Sequence, residues 1–286
     1  MNLKDIYTNF FYFVASSPDQ HAPGTKAYEF LKNFSASFVK PCFTATKNEP
    51  VHFGDFGEIE FPFFEMGTVN STNLFDIDEL ILFSFYLRNR HKYRKVLDLG
   101  ANIGLHSLLL AKLGMQIKAF EPDERHIAAF RSNMAANKVE DFIELVPTAI
   151  SDVEGKTELV RVLGNTTGNH LVGAKENVYG DLEKIEIETK NISDYLDWPD
   201  LIKMDVEGHE ARLIVKFTAT DFDRFDLVLE IGSIENRKKI FSHINEHGVN
   251  MFAQKIGWEK VSNIDDAPCH YKEGSVFISK EKAMPW

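Results

Sequence analysis

A chain of 286 residues, 44% hydrophobic and 26% charged, is long enough for one large α/β domain or two small ones, and its composition excludes a disordered or fibrous protein. A formal net charge of −11 and a pI near 5.4 argue against nonspecific binding to nucleic acid or to anionic membranes. The two cysteines, Cys42 and Cys269, form no CxxC pair and no zinc spacing, so they supply neither a disulfide framework nor a structural metal site.

Along the chain, the aromatic run Phe10–Ala15 is too short for a signal-peptide core, and no segment approaches the roughly 18 uninterrupted apolar residues of a membrane span. A cytoplasmic protein is expected. The Phe-rich stretch VHFGDFGEIEFPFFEMG alternates loosely and reads as one or two strands with turns. Residues 1–70 are expected to form an accessory segment that caps a cleft, binds an acceptor or mediates homodimerisation, ahead of a main domain over 71–286. From Asp76 to Arg90 the spacing is helical, with acids in the first turn and arginines in the last, the charge order that a helix dipole favours.

After Lys95 the rhythm becomes strand, loop, helix, repeatedly. KVLDLG, IKAFEP, FIELVPTAI, LIKMDV and FDLVLEIG read as five strands, and the first two are followed by the helices LHSLLLAKLG and DERHIAAFRSNMAANK. Such alternation predicts a mainly parallel sheet with helices on both faces. VNMFAQ and GSVFISK lack room for a crossover helix between them and predict an antiparallel C-terminal hairpin. Between the third and fourth strands lies a long polar interlude, residues 163–180, in which Asn165 and His170 are candidates for binding a polyhydroxy acceptor.

The loops carry the chemistry. The first strand ends in DLGANIG, where Asp98, Gly100 and Gly104 form D-x-G-x-x-x-G before a helix. Glycines there let a ligand approach the backbone and expose helix N-terminal amides. The dinucleotide fingerprint fails at its middle glycine. Glu121, at the tip of the second strand, suits a grip on ribose hydroxyls, so a nucleoside site is expected. The stretch LIKMDVEGHE, residues 201–210, then places Asp205, Glu207, His209 and Glu210 at the end of an apolar run. Like charges gather there only if something nearby compensates them.

DLGANIG, FEP, TAISD and IKMDVEGHE, in this order and spacing, resemble the FkbM-type methyltransferases, S-adenosylmethionine-dependent O-methyltransferases of the Rossmann-like class I fold with a seven-stranded sheet. The resemblance covers roughly Asp76 to the C-terminus. It implies that Gly100, Ala101, Asn102 and Gly104 wrap the methionine part of the cofactor, with Asp98 supporting that loop. Glu121 would hold the ribose, Pro122 flank it, Thr148 and Ala149 lie against the adenine, and Asp76 or Glu79 reach the amino group. Asp205 would stand beside the reactive methyl group, where a carboxylate matches a cationic cofactor. His209 is the first candidate for the base that deprotonates an acceptor hydroxyl, oriented by Glu207 or Glu210, and His170 the second. Asp205 and Glu230, at adjacent strand tips, could share Mg2+, or Glu230 could bind the acceptor. The resemblance favours a sugar or glycosylated metabolite as acceptor.

Two other enzyme classes predict motifs that this chain lacks. An NAD-dependent oxidoreductase calls for G-x-G-x-x-G and Tyr-x-x-x-Lys, and a nucleic-acid base methyltransferase for [DNS]-P-P-[YFW] after the fourth strand, where this chain has D-V-E-G. A non-catalytic cofactor-binding module remains open at this point.

Overall fold

The computed structural model describes residues 3–46, 49–67, 69–174 and 181–286. Helices α1 (Leu3–Ala15) and α2 (Lys26–Phe38) come first. Two small antiparallel hairpins follow, β1 (Val51–His52) with β2 (Glu58–Ile59) and β3 (Glu65–Met66) with β4 (Val69–Asn70). The alternating region runs α3 (Ile77–Arg88), β5 (Lys95–Leu99), α4 (Leu105–Lys112), β6 (Gln116–Phe120), α5 (Glu124–Asn137) and β7 (Ile143–Val146). An insertion then holds β8 (Ala149–Ser151), β9 (Gly155–Val162), β10 (His170–Leu171) and β11 (Leu182–Asn191). The chain ends with β12 (Leu201–Met204), α6 (Glu210–Ile214), β13 (Asp226–Glu230), α7 (Ile234–Glu246), β14 (Asn250–Ala253), β15 (Glu259–Lys260) and β16 (Ser275–Ser279).

The main sheet has the order β15-β14-β16-β13-β12-β5-β6-β7. β13, β12, β5, β6 and β7 pair in parallel, and β16 inserts antiparallel between β13 and β14. This is the expected seven-stranded arrangement with its C-terminal hairpin, plus a two-residue eighth strand at the edge. β5, β12 and β13 are buried almost end to end because both faces are covered, which is why they read as apolar runs rather than alternating ones. One face packs against α3, α4 and the N-terminal segment, and the other against α6 and α7.

Two expectations need correction. FIELVPTAI is not one strand. It breaks at Pro147, which has no N–H to give a ladder, and the Thr148 amide donates to the Val146 carbonyl in a tight turn at 2.8 Å. β7 stays in the main sheet, while β8 joins a second sheet of order β10-β9-β11-β8. The second correction concerns residues 163–180, read as an unstructured polar interlude. They join the strands of a long hairpin, β9 and β11, and contain β10; residues 175–180 lie outside the described part.

The N-terminal Phe-rich segment is core. Phe11, Phe43, Phe53 and Phe56 are buried in the same cluster as Phe75 and Phe83 of the main domain, and the Phe43 and Phe75 rings stack at 3.9 Å. Among the described residues no helix is long and apolar enough to cross a membrane.

Candidate active site

Strand register brings the site together. Met204 lies beside Leu99 on one side and Leu229 on the other, and Leu99 beside Phe120. The next residue of each strand, Gly100, Glu121, Asp205 and Glu230, therefore emerges in one row at the carboxyl edge of the sheet. The amides of Gly100 and Ala101 donate to the Phe120 carbonyl (3.1 and 3.0 Å), and that of Asp205 to the Leu99 carbonyl (2.9 Å). At Gly100 (φ +78°) a Cβ would stand 1.8 Å from the Asp205 carbonyl oxygen, so only glycine lets the first loop rest on the fourth. Gly104 (φ +87°) opens α4 with its α-carbon against the Phe130 ring, where a Cβ would be 2.6 Å from a ring carbon.

Asn102 turns through φ +51° and gives its amide to Glu121 Oε2 (2.9 Å). Glu121 Oε1 accepts from the Asp123 amide (2.9 Å) and faces His126 Nδ1 at 3.3 Å. Burial alone would lower the His126 pKa, but the Glu121 carboxylate outweighs it and the pKa is raised. Beneath the loop, fully buried Asp98 accepts from Ser107 Oγ of α4 at 2.6 Å.

Above this row is a cleft of about 600 Å³, counting the part open to solvent. Its floor includes Gly100, Asn102, Glu121, Pro122, Asp205 and Glu207, and its roof is the insertion, through Ala149, Leu159, Asn169, His170 and Leu171. Thr148 Oγ1, next to Ala149, is buried with no hydrogen-bond partner. The roof is clamped to α5. Arg161 of β9 grips Asp123, the α5 N-cap, with two bonds (2.8 and 2.9 Å), and Asn169 donates to the same carboxylate at 2.8 Å. Asn165 is not part of the cleft wall. It bridges Gly67 of the N-terminal segment and accepts from Thr167 Oγ1 at 2.6 Å.

In LIKMDVEGHE, sequence reasoning missed Lys203. Lys203 and Asp98 are ladder partners on one face of the sheet, both buried, with Nζ 3.5 Å from Asp98 Oδ1 and 3.8 Å from Asp205 Oδ2. Nζ also donates to the Gly100 carbonyl at 3.3 Å. Burial would lower its pKa, yet Asp98, Asp205, Glu79 and Glu230 together hold it well above the usual lysine range. A residue alternation check would have exposed it: a lysine inside an otherwise apolar strand, in phase with an aspartate inside its neighbour, calls for a pair.

The other members divide by role. Glu207 turns through φ +53° and lines the cleft. Glu210 faces away, accepting from the Val206 and Gly208 amides (3.2 and 3.0 Å) and from Asn236 Nδ2 (2.9 Å). Burial raises its pKa to about 7. His209 departs from expectation: it does not line the cleft, and its Nε2 lies 3.2 Å from Ser151 Oγ of β8. Burial, with Arg212 nearby, lowers its pKa to about 4. His170 does line the cleft, and its Nδ1 lies 2.9 Å from the Gly168 carbonyl.

On the far side of the strand tips, Glu79 of α3 pairs with His106 Nε2 of α4 at 2.9 Å, and His106 Nδ1 meets the Tyr86 hydroxyl at 2.9 Å. Burial would raise the Glu79 pKa, but His106 and Lys203 prevail and it is lowered. Glu230 is raised well above the usual carboxylate range by burial and by the negative charges of Asp205, Glu79 and Glu207. The donor set does not fit Mg2+. Among the described residues no group of three or more His, Cys, Asp and Glu side chains is arranged to hold a metal ion, and the charge among Asp98, Asp205 and Glu230 comes from a lysine.

A family model, the methyltransferase FkbM domain, matches residues 98–254, more than half of the chain. A search of curated proteins finds no match. Among solved structures, cofactor-bound Rv0187 from MTB is similar at 13% identity over 69% of this chain and 78% of that one, with a TM-score of 0.37. A putative O-methyltransferase from Klebsiella pneumoniae gives 11%, 69%, 78% and 0.38. The O-methyltransferase from Bacillus cereus, solved in complex with SAH, gives 11%, 68%, 78% and 0.37. The domain match covers both motif loops, the strand order is that of the Rossmann-like class I methyltransferases, and the chain belongs to the FkbM-domain methyltransferase family.

Proposed function

We propose that the protein is an S-adenosylmethionine-dependent O-methyltransferase that methylates a hydroxyl of a small polar acceptor, a sugar or a glycosylated metabolite. The observation that carries this reading is the locked pair of loops, Gly100 against Asp205, at the carboxyl edge of a parallel sheet, where such folds bind their ligands. The residues fit the cofactor. Gly100, Ala101, Asn102 and Gly104 would hold its methionine portion, Glu121 and Pro122 its ribose, and Thr148 and Ala149 its adenine. Glu79 and Asp205 offer carboxylates to its positive charges. Bound there, the cofactor supplies an electrophilic methyl group.

For the acceptor, His170 takes the place of His209 as base. A carbonyl only accepts, so His170 Nδ1 donates to Gly168, which fixes the tautomer with Nε2 as the basic nitrogen. Asp205 and Glu207 would orient the hydroxyl from the floor. Glu230, at the next strand tip, has its carboxyl pushed up by burial and by Asp205, Glu79 and Glu207. Residues 71–286 form the methyltransferase domain in this reading, and residues 1–70 complete its core rather than standing apart. A cytoplasmic location and a homodimer belong to the same reading.

Calorimetric titration with S-adenosylhomocysteine and, separately, NAD tests the cofactor, followed by labelled methyl transfer to a panel of sugars. Binding of the first ligand and transfer to a hydroxyl are expected. Binding of NAD alone would sink the proposal.

A further inference from the structure

We propose that Lys203 is a positioning residue for methyl transfer: its ammonium is the built-in counter-cation of the acidic strand tips, and it sets how much negative potential Asp205 presents to a cationic cofactor. The inference rests on the S-adenosylmethionine reading above.

Lys203 lies within an apolar strand and is only 7% exposed, a placement that costs free energy unless the charge is paired. Its nearest carboxylate oxygen, Asp98 Oδ1 at 3.5 Å, has no hydrogen-bond donor of its own, so the lysine is the compensation for that buried charge. The same ammonium lies 3.8 Å from Asp205 Oδ2 and donates to the Gly100 carbonyl. It thus ties together the two loops that meet at the Gly100–Asp205 contact. The remaining charged neighbours come from α3, Glu79 with its partner His106, and from β13, Glu230. One positive charge is therefore shared between a carboxylate below the site and one that lines it.

Sharing has a consequence that plain support of the fold does not. S-adenosylmethionine carries a sulfonium, and its demethylated product a neutral thioether at the same atom. With Lys203 neutralised, Asp205 acts at full strength, and only the sulfonium form gains. For unit charges about 10 Å apart at an effective dielectric near 20, the gain is roughly tenfold. A lysine that only supports the fold would weaken both ligands alike.

The experiment measures Kd for both ligands by calorimetry on the full chain, for wild type, K203M, K203R and the double variant D98N/K203M. The double variant removes the stranded buried carboxylate, so it folds even where K203M does not. In K203M the preference for S-adenosylmethionine over its product is expected to rise about tenfold. The same direction is expected, smaller, in D98N/K203M, and K203R should stay within about twofold of wild type because it keeps the charge. An unchanged ratio in both methionine variants, with tight binding by wild type, overturns the role of Lys203 alone. If wild type binds neither ligand, the cofactor reading falls and this proposal falls with it.

Discussion

At the scale of single residues, Gly100 and Asp205 behave as one part of the site. Gly100→Ala places a methyl group 1.8 Å from the Asp205 carbonyl, so the two loops must separate. A loss of about 3 kcal/mol in unfolding free energy is expected from urea denaturation, together with loss of cofactor binding. A variant as stable as wild type would mean that the loops tolerate separation. Asp205→Asn keeps the shape and removes the charge, so the melting temperature should hold while kcat/KM falls on the order of 100-fold. Two buried histidines shape the response to pH. His21 donates from Nε2 to the Val14 carbonyl and accepts at Nδ1 from Trp258, so protonation would turn its acceptor into a second donor facing an N–H. Burial lowers both His21 and His209 from 6.5 to about 4. Because their folded pKa values are depressed, the folded state binds fewer protons, and the stabilisation is full above pH 6.5 and is lost as pH falls through 4. His209→Asn should flatten this acid limb by about 2–3 kcal/mol in denaturation curves recorded from pH 7 to 4. Glu210 works in the opposite sense: its pKa is raised to about 7, so its contribution is present below 4.5 and lost as pH rises through 7.

At the scale of elements, the insertion sheet is clamped to the start of α5 by the buried pair of Arg161 with Asp123, and that pair sits two residues from Glu121. Arg161→Met strands Asp123 in the interior. It should cost about 3–5 kcal/mol and weaken cofactor binding, and a double variant with Asp123→Asn should recover much of the stability. Unfolding curves for the two variants decide between this and an insertion that folds independently. The parallel strands were legible because burial on both faces leaves mostly apolar residues, as in LIKM and DLVL. The motif loops were legible because glycine and carboxylate positions are tied to strand ends. The insertion was not, since its outer face is solvated and paired by exposed ions such as Lys184 with Glu158 and Lys156 with Glu186. The alternation in LEKIEIETK, half exposed and half sheltered, was the available signal of a strand. Lys203 was passed over for another reason: its partner, Asp98, lies on a neighbouring strand that only the register of the sheet brings alongside it.

At the scale of the whole molecule, the first 70 residues and the rest share one core. Nearly all of α3 is buried, partly under α1, and Gln254, on the loop after β14, donates to both the His21 carbonyl and Asp78 Oδ1. A fragment of residues 71–286 alone would uncover Phe75 and Phe83, whose rings pack against Phe43, Phe53 and Phe56. It is expected to lack a cooperative thermal transition in scanning calorimetry, and a sharp transition near that of the full chain would show residues 1–70 to be a separable cap.

The hydrogen bond between Trp258 and His21 spans 237 residues of chain. A ribosome adding about 5–20 residues per second makes the histidine on the order of ten to fifty seconds before its partner exists. Throughout that interval the opening segment can pack on the Phe53–Phe56 turn and α3, which are made early, but its last partner is missing. The opening segment is therefore locked in place only when the last strands of the sheet have been made, so its final anchoring follows the end of synthesis rather than its beginning.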